Sequence, residues 1–159
     1  MSSDEGWEEL CVAWGPDQLV PIERERLADA PVTEGTREFL VRIGLPRECP
    51  LLVSFYRDER LLQPIWLRDV RYLLVGDDDG TLLALRAGTD ELWSVTESED
   101  EPRFVNSHLW GFVLLLGLYE PRAYPGFRQQ VATCDEKALG HDDYWWSLIV
   151  EQMSYGLAP

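Results

Sequence analysis

An α+β domain is the fold class this sequence predicts, with an antiparallel-rich meander sheet flanked by N-terminal and C-terminal helices. Apolar residues recur at helical spacing before residue 46 and again after residue 107. Between those limits the period shortens to strand-like runs: "LLVSFY" (51–56), "RYLLVG" (71–76), "TLLALR" (81–86) and "ELWSVT" (91–96). The connections "DDDG" (77–80) and "AGTD" (87–90) are short and turn-rich, so the strands they join should be antiparallel neighbours. With 159 residues and no repeat, low-complexity tract or long linker, the chain reads as a single domain over 1–159, large enough for a real core.

The elements follow in order. Residues 3–12 suit a short helix with Ser3 or Asp4 as N-cap and Trp7, Leu10 and Cys11 on one side. Residues 13–32 should be irregular, broken by Gly15, Pro16, Pro21 and Pro31. Thr33 then caps a helix whose apolar stripe is Phe39, Leu40 and Ile43. Glu34 lies in its electropositive first turn, Gly44 supplies a left-handed exit, and Pro46 forbids continuation. After the four runs of the meander, "RFVN" (103–106) is a fifth strand. From Ser107, as N-cap, a helix begins in which Leu109, Phe112, Val113 and Leu116 keep one face. Trp110, Leu114, Leu115 and Leu118 fill the other side, and a helix apolar all round is buried on most faces. Gly111 and Gly117 are tolerable there if another element packs close. A helix over 127–140 ends at Gly140. A last one, capped by Asp142 or Asp143, presents Trp146, Ile149, Val150 and Met153 on one face.

Charge is the most informative bulk property. Fourteen basic residues against 29 acidic ones give a net charge of −15. Such a surface repels nucleic acid and anionic membranes and attracts a basic protein. From Asp77 to Glu101 nine acids stand against one base, Arg86: Asp77, Asp78, Asp79, Asp90, Glu91, Glu97, Glu99, Asp100 and Glu101. The three cysteines, Cys11, Cys49 and Cys134, are far apart and form no CxxC or Cys/His cluster, which argues for reduced thiols rather than disulfides or zinc. The N-terminus is acidic where a secretory signal would be basic, and the run "LWGFVLLLGLY" is too short to span a bilayer. A cytoplasmic location is the expectation that follows.

Candidate catalytic chemistry is thin. Ser107 beside His108 invites a hydrolase reading, but a triad is recognised by geometry, and no GxSxG elbow is present. "DDDG" lacks the alternating acids of a calcium loop and reads as a hairpin turn. Cys134 lies near Asp135, Glu136 and Lys137 with no base to activate it, so a packed thiol is expected. No cofactor or metal is called for. Trp145 and Trp146 are adjacent on a helix, about 100° apart, so one of them should turn away from the core and offer an anchor to a partner.

Three stretches together, "FLVRIGLP" (39–46), "YLLVGDDDGTLLALRAGTDELWSV" (72–95) and "FVNSHLWGFVLLLGLY" (104–119), resemble the SUKH superfamily, and within it the fourth immunity branch of bacterial polymorphic-toxin loci. Gly44, Leu45, Pro46, Gly76, Asn106, Ser107 and Phe112 stand at the family's motif positions, and Trp146 sits in a terminal stretch similar to the family's last helix. His108 departs from the pattern, where a second serine is usual. The resemblance extends over about 36–156. It implies a non-catalytic immunity protein that binds and neutralises a cognate toxin domain, often a nuclease or nucleic-acid deaminase. A toxin of that kind carries a basic groove, which an acidic inhibitor can cover with steered, fast association. The expected partner-binding residues are Asp77, Asp78, Asp79, Glu97, Glu99, Asp100 and Glu101. A scaffold that holds a host regulatory protein through the Trp-bearing last helix is the alternative from another class.

Overall fold

The computed structural model describes residues 1–96 and 101–157. Helices stand at both ends and an antiparallel sheet lies between them, as expected. Helix α1 (Ser3–Trp14) is followed by a two-residue strand β1 (Leu19–Val20), a 3-10 turn (Arg24–Leu27), α2 (Glu34–Arg42) and β2 (Leu45–Pro46). The N-cap of α1 is Ser2, one residue earlier than read from sequence. Its hydroxyl accepts from the Glu5 N–H while the Glu5 carboxylate accepts from the Ser2 N–H, a reciprocal capping box. Thr33 caps α2 as expected. Gly44 leaves that helix with φ +89°, and a Cβ there would lie 2.0 Å from the Val20 carbonyl oxygen. The close approach lets Leu45 and Pro46 pair with Val20 and Leu19, so the stretch expected to be irregular contains half of a small ribbon.

The main sheet is built on β5 (Val70–Asp78), its longest strand. Along one edge β5 pairs from Tyr72 to Asp78 with β6 (Thr81–Arg86), which pairs with β7 (Leu92–Val95), which pairs with β8 (Arg103–Asn106). Along its other edge two short strands share it. β4 (Pro64–Leu67) takes the first half, from Leu73 back to Val70, and β3 (Val53–Phe55) takes the second, from Gly76 to Asp78. The register slips between Leu74 and Gly76, and a Cβ on Gly76 would lie 2.1 Å from the Ser54 carbonyl oxygen. Gly76 is therefore the residue that lets β3 close on a bulged strand. β4 is not among the strand-like runs expected from sequence, and it opens with Pro64. A proline at the first position of an edge strand costs no ladder bond.

Helix α3 (Leu109–Leu118) runs through the middle, and every residue from Leu109 to Leu116 is buried. α1 lies against it: the Trp14 indole N–H donates to the Val113 carbonyl at 2.8 Å, and a Cβ on Gly117 would come within 2.7 Å of that indole. Gly117 thus meets the close-packed element anticipated for it. Phe112 is the centre of an aromatic cluster, with ring centroids of Phe55, Trp145 and Trp146 at 6.1, 5.4 and 5.9 Å. The first two contacts are edge-on and the third is tilted, and they add to the area they bury.

The strand-to-helix joint differs from expectation in an instructive way. Ser107 is not the cap of α3. His108 takes that position and its side chain makes no cap bond. Asp135 instead collects the joint. One carboxylate oxygen accepts from the Ser107 main-chain N–H at 2.6 Å and from the Asn106 amide at 3.2 Å, and the other accepts from the Ser107 hydroxyl at 2.9 Å. Asn106, fully buried, turns its carbonyl to the Trp146 indole N–H at 2.8 Å. To reach the joint, Asp135 leaves helical geometry at φ −155°. The helix expected over 127–140 therefore stops as α4 (Gly126–Cys134), and a 3-10 turn (Glu136–Leu139) follows. The last helix, α5 (Trp145–Ser154), starts after Tyr144 rather than at Asp142 or Asp143. Trp145 and Trp146 are both buried, at 5% and 0% exposure, so neither is the expected exposed anchor. Both find polar partners inside, one indole N–H on Asp78 at the end of β5 and the other on Asn106 at the end of β8.

Asp135→Ala leaves the buried Asn106 amide and the Ser107 N–H without their acceptor, which should cost about 2–4 kcal/mol. Urea unfolding followed by tryptophan fluorescence should show a lower midpoint. Glu91→Ala, which breaks an exposed pair with Lys137, should cost less than about 1 kcal/mol.

Candidate partner-binding face

Of the acidic residues singled out by sequence, three stand together at the β5–β6 turn, a fourth, Glu101, precedes β8, and the remainder lie outside the described residues. Asp77 and Asp78 are the last residues of β5, and Asp79 and Gly80 form the turn to β6. Asp79 has φ +48° and Gly80 φ +97°, the two positive values that a tight hairpin turn of this hand demands. Asp79 is consequently thrust into solvent. Asp77 and Asp78 point to opposite faces of the strand and meet different partners. The Tyr56 hydroxyl faces Asp77 Oδ2 at 3.5 Å. The Trp145 indole N–H donates to Asp78 Oδ2 at 2.9 Å. Partial burial pushes the Asp78 carboxyl above its usual range, the Trp145 bond pulls it back, and the charges of Asp79 and Asp77 push it further up.

Glu101 has a partner of its own. It pairs with Arg68 at 3.2 Å, and Arg68 lies on the turn between β4 and β5, at the opposite end of β5. Glu97, Glu99 and Asp100 lie outside the described residues. Two further acids of the segment are engaged within the chain. Asp90 accepts from the Thr33 and Thr36 hydroxyls, and Glu91 pairs with Lys137 at 2.7 Å.

Beside the acidic turn is a residue that sequence reasoning passed over. Leu51 and Leu52 both take left-handed backbone, with φ of +62° and +61°. That conformation is rare for a side chain of this size and costs on the order of 1–3 kcal/mol per residue. Leu51 is buried by it, and Leu52 is turned out to 65% exposure. The Leu52 carbonyl accepts from the Asp79 N–H at 3.3 Å, so an exposed leucine is fastened to the acidic tip. No composition or spacing signal marks it, because two leucines before a strand read as strand. A larger exposed side chain, Trp66 at 66%, stands on the edge strand β4.

The catalytic alternatives take definite positions. Ser107 is held by Asp135, while His108 Nδ1 faces Asp90 Oδ2 at 3.6 Å and its ring stacks on Trp110. The two neighbours are thus drawn to different carboxylates. Cys134 is buried and its thiol is pushed up to about 12, chiefly by desolvation and then by Asp135, which leaves it protonated. Cys49 is pushed up to about 12 by burial as well. Among the described residues no group of three or more His, Cys, Asp or Glu could hold a metal ion, and no helix is long and apolar enough to cross a membrane.

The family motif is now legible as architecture. Gly44, Leu45 and Pro46 make the ribbon, Gly76 makes room for β3, and Asn106, Ser107 and Phe112 fix the joint and centre the aromatic cluster. A model of the SUKH-4 immunity protein family matches residues 7–122. The match starts within α1 and takes in all of those positions, but α4, α5 and Trp146 lie beyond it, so the resemblance read for the terminal helix is not part of it. No curated protein and no solved structure matches the chain. The family match covers the sheet and the helix buried beneath it, and the chain belongs to the SUKH-4 immunity protein family, whose members act by neutralising a toxin.

Proposed function

We propose that this protein is a non-catalytic, cytoplasmic immunity protein of bacteria that binds a basic toxin domain acting on nucleic acid, a nuclease or a deaminase. In this reading the β5–β6 hairpin end is laid into the toxin's cationic groove. The observation that carries it is the union of Asp77, Asp78 and Asp79 with the exposed Leu52, fastened to the tip by the Asp79 N–H. Carboxylates steer a basic partner into place, and a projecting apolar side chain supplies the desolvated contact that holds it. The net charge of −15 extends the steering field and disfavours nucleic acid and anionic membranes as direct partners. The regulatory-scaffold alternative relied on an exposed tryptophan in the last helix, and both tryptophans there are buried.

Co-expression with the toxin encoded beside this gene is the direct test. Asp79→Lys with Leu52→Ala should abolish protection and weaken binding at least 100-fold in calorimetry, without changing the melting temperature by more than a few degrees. Asp77→Lys should act in the same direction, and wild-type association should slow steeply with added salt. Unchanged protection by the Asp79/Leu52 variant rejects this face.

Asp78 carries a trade between stability and binding. Its carboxyl is harder to ionise in the folded chain than in the unfolded one, so ionisation opposes folding once the pH is above its folded pKa. Below about 3.9, the ordinary value for aspartate, the carboxyl is protonated in both states and the effect vanishes. Asp78→Asn keeps an acceptor for Trp145 and should raise the melting temperature at pH 7. The gain should shrink to nothing as the pH falls through that range, and binding of the toxin should weaken.

A further inference from the structure

At the opposite end of β6 from the acidic hairpin, the N-terminal ends of α1, α2 and α3 meet the β6–β7 turn and leave a cleft of about 210 Å³. Its walls are largely aromatic and aliphatic, with Trp7, Phe39, Leu109 and Trp110 among them, and its polar groups include Asp90 and His108. The volume is below the roughly 300–1,000 Å³ of sites that enclose whole small molecules. It suits a single side chain.

We propose that this cleft receives an arginine side chain of the partner protein, its guanidinium against the Trp7 wall and the Asp90 carboxylate. The inference rests on the protein-binding reading above and adds a second contact to it. Aromatic faces with one carboxylate make a cation site in which stacking and a charged hydrogen bond act together. Planar, weakly hydrated guanidinium exploits both better than an ammonium does. The chain itself already uses the Trp7 ring in this manner, with the Arg42 guanidinium carbon 5.5 Å from the ring centroid, and Arg42 is not among the residues that line the cleft.

Asp90 is positioned for the task. Its Oδ1 accepts from the Thr33 and Thr36 hydroxyls, which fix the carboxylate's orientation, while Oδ2 faces only His108, at 3.6 Å, among the described contacts. Helix N-termini by themselves favour anions, but α1 carries Asp4 and Glu5 in its first turn and α2 carries Glu34. Those charges offset the helix ends, and Asp90 is the carboxylate left at the cleft. The Trp7 indole N–H is buried with no acceptor among the described residues.

The probe is N-acetyl-arginine amide, with N-acetyl-citrulline amide as its uncharged counterpart, titrated into the full chain. The readout is the indole N–H signals of the seven tryptophans, with Trp7 and Trp110 assigned by single Trp→Phe changes. Saturable shifts at those two signals are expected, at least tenfold weaker with citrulline amide. Asp90→Asn should weaken arginine binding about tenfold. Gly35→Lys, at an exposed cleft-lining position with open space for a side chain, should block it while the Trp145 and Trp146 signals stay in place. With the toxin, Gly35→Lys should lower affinity at least tenfold. The proposal is overturned by no shift at Trp7 and Trp110, by equal response to citrulline amide, or by full toxin affinity in both variants. If those results come while the Asp79/Leu52 variant still loses protection, the cleft fails and the immunity reading stands.

Discussion

A single carboxylate, Asp135, holds the junction on which the rest of this fold depends. It accepts three hydrogen bonds from Asn106 and Ser107. Asn106, with its donor thus engaged, has its carbonyl oriented for the Trp146 indole. Four elements are fixed by this short chain of bonds: the last strand, the buried helix α3, the end of α4 and the beginning of α5. A buried amide has no freedom to exchange partners with water, so each bond sets the direction of the next. The aromatic cluster around Phe112 then packs on a frame that polar groups have already aligned.

The sheet solves a different problem. One long strand must serve two short ones on the same edge, and it does so by a register slip and a glycine at residue 76. The far end of that strand is then free to project as an acidic hairpin, steadied by Tyr56 on Asp77 and Trp145 on Asp78. The tip is thereby tied to the core through α5, and the joint and the hairpin end share that helix as common support.

Much of this architecture was legible in the sequence because its signals are local. Thr33, Gly44 and Pro46 bound α2, the Asp-Gly turn marks the β5–β6 hairpin, and the all-round apolar stretch identifies α3 as buried. The joint was legible in position but not in mechanism. Ser107 next to a helix looks like a cap, and only tertiary structure brings Asp135, 28 residues later, to take its hydroxyl. The same limit governs the tryptophan pair: adjacency on a helix says that two rings diverge, not that both directions are covered. Acidity along the segment from 77 to 101 reads as one stretch of charge, whereas the meander carries Asp90 to the opposite end of β6 from Asp79, where the Thr33 and Thr36 hydroxyls engage it. Linear charge density becomes a surface property only after the strands have turned.

The two left-handed leucines have a consequence for how specificity can drift between related toxin and immunity pairs. Leu52 is held in place by its backbone, through the burial of Leu51 and the bond from Asp79, and not by packing of its own side chain. A position presented in that way is decoupled from the core. Its side chain can change in size or polarity while the main chain that displays it stays put. In the proposed role, an altered toxin could be matched by exchange at one exposed site, with the buried joint and the aromatic cluster left as they are.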